Sequence, residues 1–216
     1  MYKWVIFDMD WLLIDSEPLW QLWEIEVFSK YWIKIDPLQT TWMKINEFVK
    51  YWYEIYKWDL SIVSLKELEI EILNKMVDLF DKQIESLPWV VYILEYFKKK
   101  WYKIAINSAS DYILIKSVIK KLSINKYIEI LHSWEDEDLW KPHPWWYLST
   151  CSKMWLQPSE VIAFEDSFNW CISVKAAKIK CVCIPDRNDY DNPKFNIGDV
   201  KLHSLNDFND TILETL

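Results

Sequence analysis

The 216 residues are enough for one sizeable domain, or for a domain that carries an insertion, with a core that needs no disulfide or structural metal. At 51% hydrophobic and 27% charged, the chain sits near the globular average, which excludes wholesale disorder and collagen-like order. A net charge of −8 argues against a general nucleic-acid binder, whose phosphate contacts need clustered Lys and Arg.

In chain order, residues 2–7 form a short aromatic and branched run that stops at Asp8, as a buried parallel strand does. That run is too short for a signal peptide, and no apolar stretch approaches the ~20 residues of a membrane span, so a cytoplasmic protein with no membrane partner is expected. From about residue 17 to 83 apolar residues recur at helical spacing, in 19–30, 45–56 and 65–80, with Pro18 and Pro88 at the boundaries. Beyond them, strand-like runs at 103–106, 128–131, 161–164 and 181–184, with a weaker one at 200–202, alternate with helical patterns at 91–100, 112–122, 145–155 and 170–178. The fold class predicted is α/β: a doubly wound parallel, Rossmann-like sheet core in 1–15 and 87–216, with an α-helical domain inserted at 16–86. Residues 186–196, rich in Asp and Asn, read as a surface loop. The spacing of Cys151, Cys171, Cys181 and Cys183 suits neither zinc nor a disulfide framework, and Cys181 and Cys183 read as small buried hydrophobes.

Ligands of doubly wound sheets bind at the carboxyl ends of the strands, so the polar residues there come first. Asp8 and Asp10 follow the first strand two residues apart and share a side if the extended geometry continues, one as nucleophile or metal ligand and the other as proton donor. Ser108, in INSAS, follows the second strand, where a hydroxyl and the next backbone amides suit a phosphate. Lys141, in KPHP, carries an ammonium that neutralises phosphate and carboxylate. Glu165 and Asp166, in AFEDS, are adjacent carboxylates that suit a hard cation such as Mg²⁺. Each has a plainer reading: a solvated turn for Asp8 and Asp10, a helix N-cap for Ser108, a surface lysine for Lys141. His132 and His143, near the third motif, read as packing or loop residues.

The order of these motifs is more specific than any one of them. Through VIFDMDWLLIDSEPLW, KIAINSAS, KPHPWWYL and VIAFEDSFNW the chain resembles the haloacid dehalogenase superfamily, within it the sugar-phosphate phosphatases and β-phosphoglucomutases. That resemblance implies that Asp8 attacks the phosphoryl group to form an aspartyl-phosphate and that Asp10 is the general acid and base. It implies that Ser108 and Lys141 bind phosphoryl oxygens, and that Asp8, the Asp10 carbonyl and Asp166 hold Mg²⁺ with Glu165 in direct or indirect support. The inserted helices become a cap that excludes water and chooses the substrate. The mutases carry a histidine early in the first cap helix where this chain has Trp20, and indole shuttles no proton. The expectation is therefore a monomeric phosphatase for a small phosphorylated metabolite of the hexose 6-phosphate or 2-deoxyglucose 6-phosphate type. The alternatives are a phosphohexose mutase and an inert scaffold that binds a phosphorylated ligand.

The chain has one glycine, Gly198, where average usage predicts about 15, and it has 16 tryptophans. Trp11, Trp89, Trp101, Trp134, Trp140, Trp155 and Trp170 stand where the family pattern has glycine, and Trp4, Trp32 and Trp42 are weaker cases. One explanation is a gene that uses UGA for glycine, written here with UGA as tryptophan; Arg187 as sole arginine beside many lysines fits an AT-rich gene. The other is that the indoles fill core or cap space, which is the reading preferred for Trp20, Trp23 and Trp52.

Overall fold

The computed structural model describes residues 2–36, 43–137, 139 and 142–216. They divide into two compact units, one of Met1–Asp15 with Glu85–Leu216 and one of Ser16–Ile84. After β1 (Trp4–Phe7) the chain runs through α1 (Glu17–Ser29), α2 (Ile45–Tyr56), α3 (Leu65–Gln83) and α4 (Val90–Lys99). Strand and helix then alternate through β2 (Lys103–Ser108), α5 (Tyr112–Lys121), β3 (Ile128–Ser133), α6 (Trp145–Lys153), β4 (Val161–Glu165), α7 (Phe168–Ala176), β5 (Lys180–Cys183) and β6 (Val200–Lys201), and α8 (Asp210–Thr215) ends the chain.

The strands form one all-parallel sheet in the order β3-β2-β1-β4-β5-β6, the doubly wound arrangement expected from the sequence. β1 and β4 are buried along their whole length, which only a sheet covered on both faces permits. Register between them is set by packing. Phe7 pairs with Phe164, their rings stack 4.8 Å apart, and Phe97 of α4 and Phe208 close on the same pair. Each such ring contributes about 1.5–3 kcal/mol by burial, and a one-residue slip of β1 or β4 would turn its phenylalanine to the wrong face. On the other side of the sheet Cys171, Cys181 and Cys183 are free thiols packed into the apolar cluster.

β2, β3 and β4 run one or two residues further than their apolar patterns. Ser108 pairs with Ser133, and Glu165 with Cys183, because the backbone ladder continues past the last hydrophobic side chain. The polar ends are thereby fixed by strand geometry instead of being left to loops.

The helical unit has its own core. Trp23 and Phe28 of α1 pack edge-on against Phe48 of α2, each with ring centroids 5.5 Å apart. α3 begins with a reciprocal cap in which the Ser64 hydroxyl accepts from the Glu67 N–H while the Glu67 carboxylate accepts from the Ser64 N–H. Among the described residues no helix is long and apolar enough to cross a membrane.

Candidate active site

The β1–β4 register determines what meets at the carboxyl edge. With Phe7 opposite Phe164, the next residues are Asp8 and Glu165, and the Asp8 N–H donates to the Phe164 carbonyl at 3.2 Å. Asp8 and Glu165 are both buried. Asp166 follows at the turn into α7, and one carboxylate oxygen from each of Asp8, Glu165 and Asp166 lies within 4.8 Å of the others. Three hard oxygen donors this close could hold a small divalent cation such as Mg²⁺, whose charge would offset the repulsion of like charges.

Asp10 points its carboxylate elsewhere. Its Oδ2 accepts from the Ser110 hydroxyl at 3.0 Å and the Ser108 hydroxyl at 3.3 Å. Ser108, the last residue of β2, is fully buried, and its Oγ also accepts from the Ser110 N–H at 3.1 Å. The Ser133 hydroxyl at the end of β3 donates to the Ser110 carbonyl at 2.7 Å and holds the turn from below. Ser110 was not singled out from the sequence; the signal was its place two residues beyond Ser108 in the SAS repeat, which returns a hydroxyl to the same side.

The structure thus brings Asp8, Asp10, Ser108, Glu165 and Asp166 to one edge of one sheet, all within the α/β unit. Lys141 lies outside the described residues, although its flank is anchored: the Ser173 hydroxyl donates to the His143 carbonyl at 2.8 Å, and the Trp145 N–H donates to His143 Nδ1 at 3.1 Å. His132 is fully buried on β3, with Nδ1 on the Thr150 hydroxyl and Nε2 2.8 Å from Glu137, which is a packing position.

Such an edge offers a carboxylate with cation ligands beside it, and a second carboxylate aimed by two hydroxyls. Chemically, such an edge can attack an electrophilic centre with one carboxylate and exchange a proton through the other.

A family model described as haloacid dehalogenase-like hydrolase matches residues 5–184. Among characterised relatives, hexitol phosphatase B of Escherichia coli K12 is 31% identical over 204 residues, which is 93% of this chain and 91% of that protein. A phosphorylated carbohydrates phosphatase of Thermotoga maritima is 26% identical over 82% of each chain. Among solved structures, β-phosphoglucomutase from Clostridium difficile superposes with a TM-score of 0.79 at 19% identity, over 99% of this chain and 96% of that one. CbbY from Rhodobacter sphaeroides, in complex with phosphate, superposes with a TM-score of 0.80 at 18% identity over 95% of each chain. At these identities the structural likeness speaks to the fold.

Proposed function

The chain belongs to the haloacid dehalogenase-like hydrolase family and is a phosphatase, and on that premise we propose that it hydrolyses a small sugar phosphate through an aspartyl-phosphate, with Mg²⁺ as cofactor. The observation that carries this reading is the convergence of Asp8, Glu165 and Asp166 within 4.8 Å, with Asp10 held nearby by Ser108 and Ser110.

In the proposed reaction the Asp8 carboxylate attacks phosphorus in line with the ester oxygen. The Asp8–phosphorus bond forms as the bond to the sugar oxygen breaks, and Asp10 gives its proton to that departing oxygen. Asp10, now a carboxylate, takes a proton from water, whose oxygen attacks the phosphoryl group, releases phosphate and restores Asp8. Ser110 holds the Asp10 carboxylate in place between the two steps, while the single Ser108 hydroxyl hydrogen turns from Asp10 to the substrate and, with Lys141, binds the phosphoryl oxygens. Asp8, the Asp10 carbonyl and Asp166 are the proposed Mg²⁺ ligands, with Glu165 direct or through water. Bound there, the cation supplies the positive charge that lets an anionic nucleophile meet an anionic ester.

Hydrolysis is favoured over phosphohexose transfer by Trp20, which stands in α1 where the mutases carry a proton-shuttling histidine. Its ring packs edge-on against the buried Trp23, with centroids 5.6 Å apart. Hexitol phosphates and hexose 6-phosphates, including the 2-deoxy form, are the first candidates as substrates, and the choice among them is assigned to the inserted helical residues 16–86.

The test is Mg²⁺-dependent phosphate release across that panel, run on the chain as printed and on a form with glycine at 11, 89, 101, 134, 140, 155 and 170. Release in either form that vanishes in Asp8→Asn is expected. Silence in both folded forms would overturn the reading, and isomer conversion stimulated by a bisphosphate would establish a mutase instead.

A further inference from the structure

Eight non-glycine residues have positive φ among the described residues, and five of them are tryptophan: Trp11 (63°), Trp32 (56°), Trp89 (71°), Trp101 (65°) and Trp155 (56°). That distribution runs against the chemistry of the backbone. In the left-handed region Cβ crowds the following carbonyl, so glycine dominates and Asn and Asp come next.

Three of the five end helices in the same way. After α4 the Trp101 N–H donates to the Lys98 carbonyl at 3.1 Å and the Tyr102 N–H to the Phe97 carbonyl at 3.0 Å. After α6 Trp155 donates to Ser152 at 3.0 Å and Leu156 to Cys151 at 3.1 Å, and after α1 Trp32 donates to Ser29 and Ile33 to Phe28, both at 3.1 Å. This is the Schellman arrangement, whose left-handed position is usually glycine. Trp89 stands at the entry of α4, and Trp11 follows Asp10 in a turn where its N–H donates to the Ile14 carbonyl at 2.7 Å.

At the three helix ends the side chains do not account for these placements, while Trp89 is half exposed with its ring edge-on to Tyr92 at 6.4 Å. Trp32, Trp101 and Trp155 are 90, 92 and 93% exposed, whereas Trp23 and Trp52, inside helices, are 1 and 3% exposed. Real core tryptophans in this chain are therefore recognisable by burial, and these three make no comparable packing. Gly198 serves a different need: its φ is −63°, and a Cβ there would come within 2.6 Å of the Cys183 sulfur. Of the other family glycine positions, Trp4 lies in β1, Trp134 in a 3₁₀ turn and Trp170 in α7, all without positive φ, and Trp42 and Trp140 lie outside the described residues.

We infer that residues 11, 32, 89, 101 and 155 are glycine in the protein that the source cell makes, encoded by UGA codons read there as glycine and rendered here as tryptophan. UGA differs from the tryptophan codon UGG in its third base, so one decoding rule accounts for all five positions and for the near-absence of glycine. Independent mutation would scatter the replacements over many residue types and would be purged first from left-handed positions. The inference stands apart from the phosphatase reading, though residue 11 adjoins the proposed general acid.

Two measurements test it without reference to activity. The gene is expected to carry TGA at codons 11, 32, 89, 101 and 155 and TGG at codons 23 and 52; TGG at the five would overturn the inference. The variant with all five changed to glycine is expected to melt about 5–15 °C above the printed chain, since each change relieves a left-handed Cβ. An unchanged or lower melting temperature would show that the indoles belong where they stand and would overturn it as well. Trp23→Gly and Trp52→Gly, as controls, are expected to melt lower than the printed chain.

Discussion

At the carboxyl ends of β1 and β4 three acidic side chains crowd within 4.8 Å, while at the ends of α1, α4 and α6 three tryptophans turn left-handed into solvent. Both arrangements resist local chemistry, since like charges repel and Cβ clashes with the backbone. They differ in what surrounds them. Around the carboxylates, neighbours converge: Ser108, Ser110 and Ser133 form a hydrogen-bonded chain that aims a fourth acid, Asp10. Around the three tryptophans the backbone makes the described hydrogen bonds, and each side chain is at least 90% exposed. Strain met by cooperating neighbours points to a ligand, whereas strain that neighbours ignore points to a residue the fold did not select.

The largest effect that would break this contrast is at the acidic edge. Asp8→Asn keeps the shape and removes the proposed nucleophile, so phosphate release is expected to fall by about 10⁴-fold or more; an Asn variant with near-normal turnover would leave Asp8 a structural residue. Asp166→Asn comes next. It removes one cation ligand and is expected to raise the Mg²⁺ concentration for half-maximal rate by about tenfold or more, with stability in chelator unchanged or improved because like charges no longer crowd. If the variant melted lower in chelator and responded normally to Mg²⁺, the trio would be a structural network. Ser110→Ala is milder: losing one hydrogen bond to Asp10 costs about 1 kcal/mol, so kcat is expected to drop about fivefold at constant KM. A change confined to KM would place Ser110 on the substrate instead.

The same contrast governs what could be read from the residues. Alternating strand-like and helical patterns announce a doubly wound sheet because buried parallel strands are apolar throughout, and motif order announces the carboxyl edge. Strand order is not written locally: β1 lies between β2 and β4 only because crossovers after it run in both directions across the sheet. The polar last residues Ser108, Ser133 and Glu165 fall beyond the apolar strand patterns because periodicity sees side chains, and the ladder that holds them is made by backbone. Ser110 was overlooked because its role lies in reaching Asp10 across 100 residues of sequence. The departures at Trp11, Trp89, Trp101 and Trp155 were legible as substitutions for glycine, but φ separates them from Trp134 and Trp170, which need no left-handed backbone.

The smallest effect is the most direct test of the second half of the contrast. α6 and α7 end alike: Lys178, at φ 62°, donates to Lys175 at 3.0 Å while Ile179 donates to Val174 at 3.2 Å, and Trp155 and Leu156 repeat that pattern at φ 56°. If the indole contributes nothing, Trp155 and Lys178 bear the same backbone cost, about 1–2 kcal/mol, partly offset in a glycine variant by the greater freedom of the unfolded chain. Trp155→Gly and Lys178→Gly are then expected to raise Tm by similar amounts, about 1–4 °C each. Equal gains would mean that the tryptophan is tolerated as any residue bearing a Cβ would be. A loss in Trp155→Gly beside a gain in Lys178→Gly would mean that the indole stabilises the fold from a position 93% exposed, and the case for glycine at the helix ends would fail.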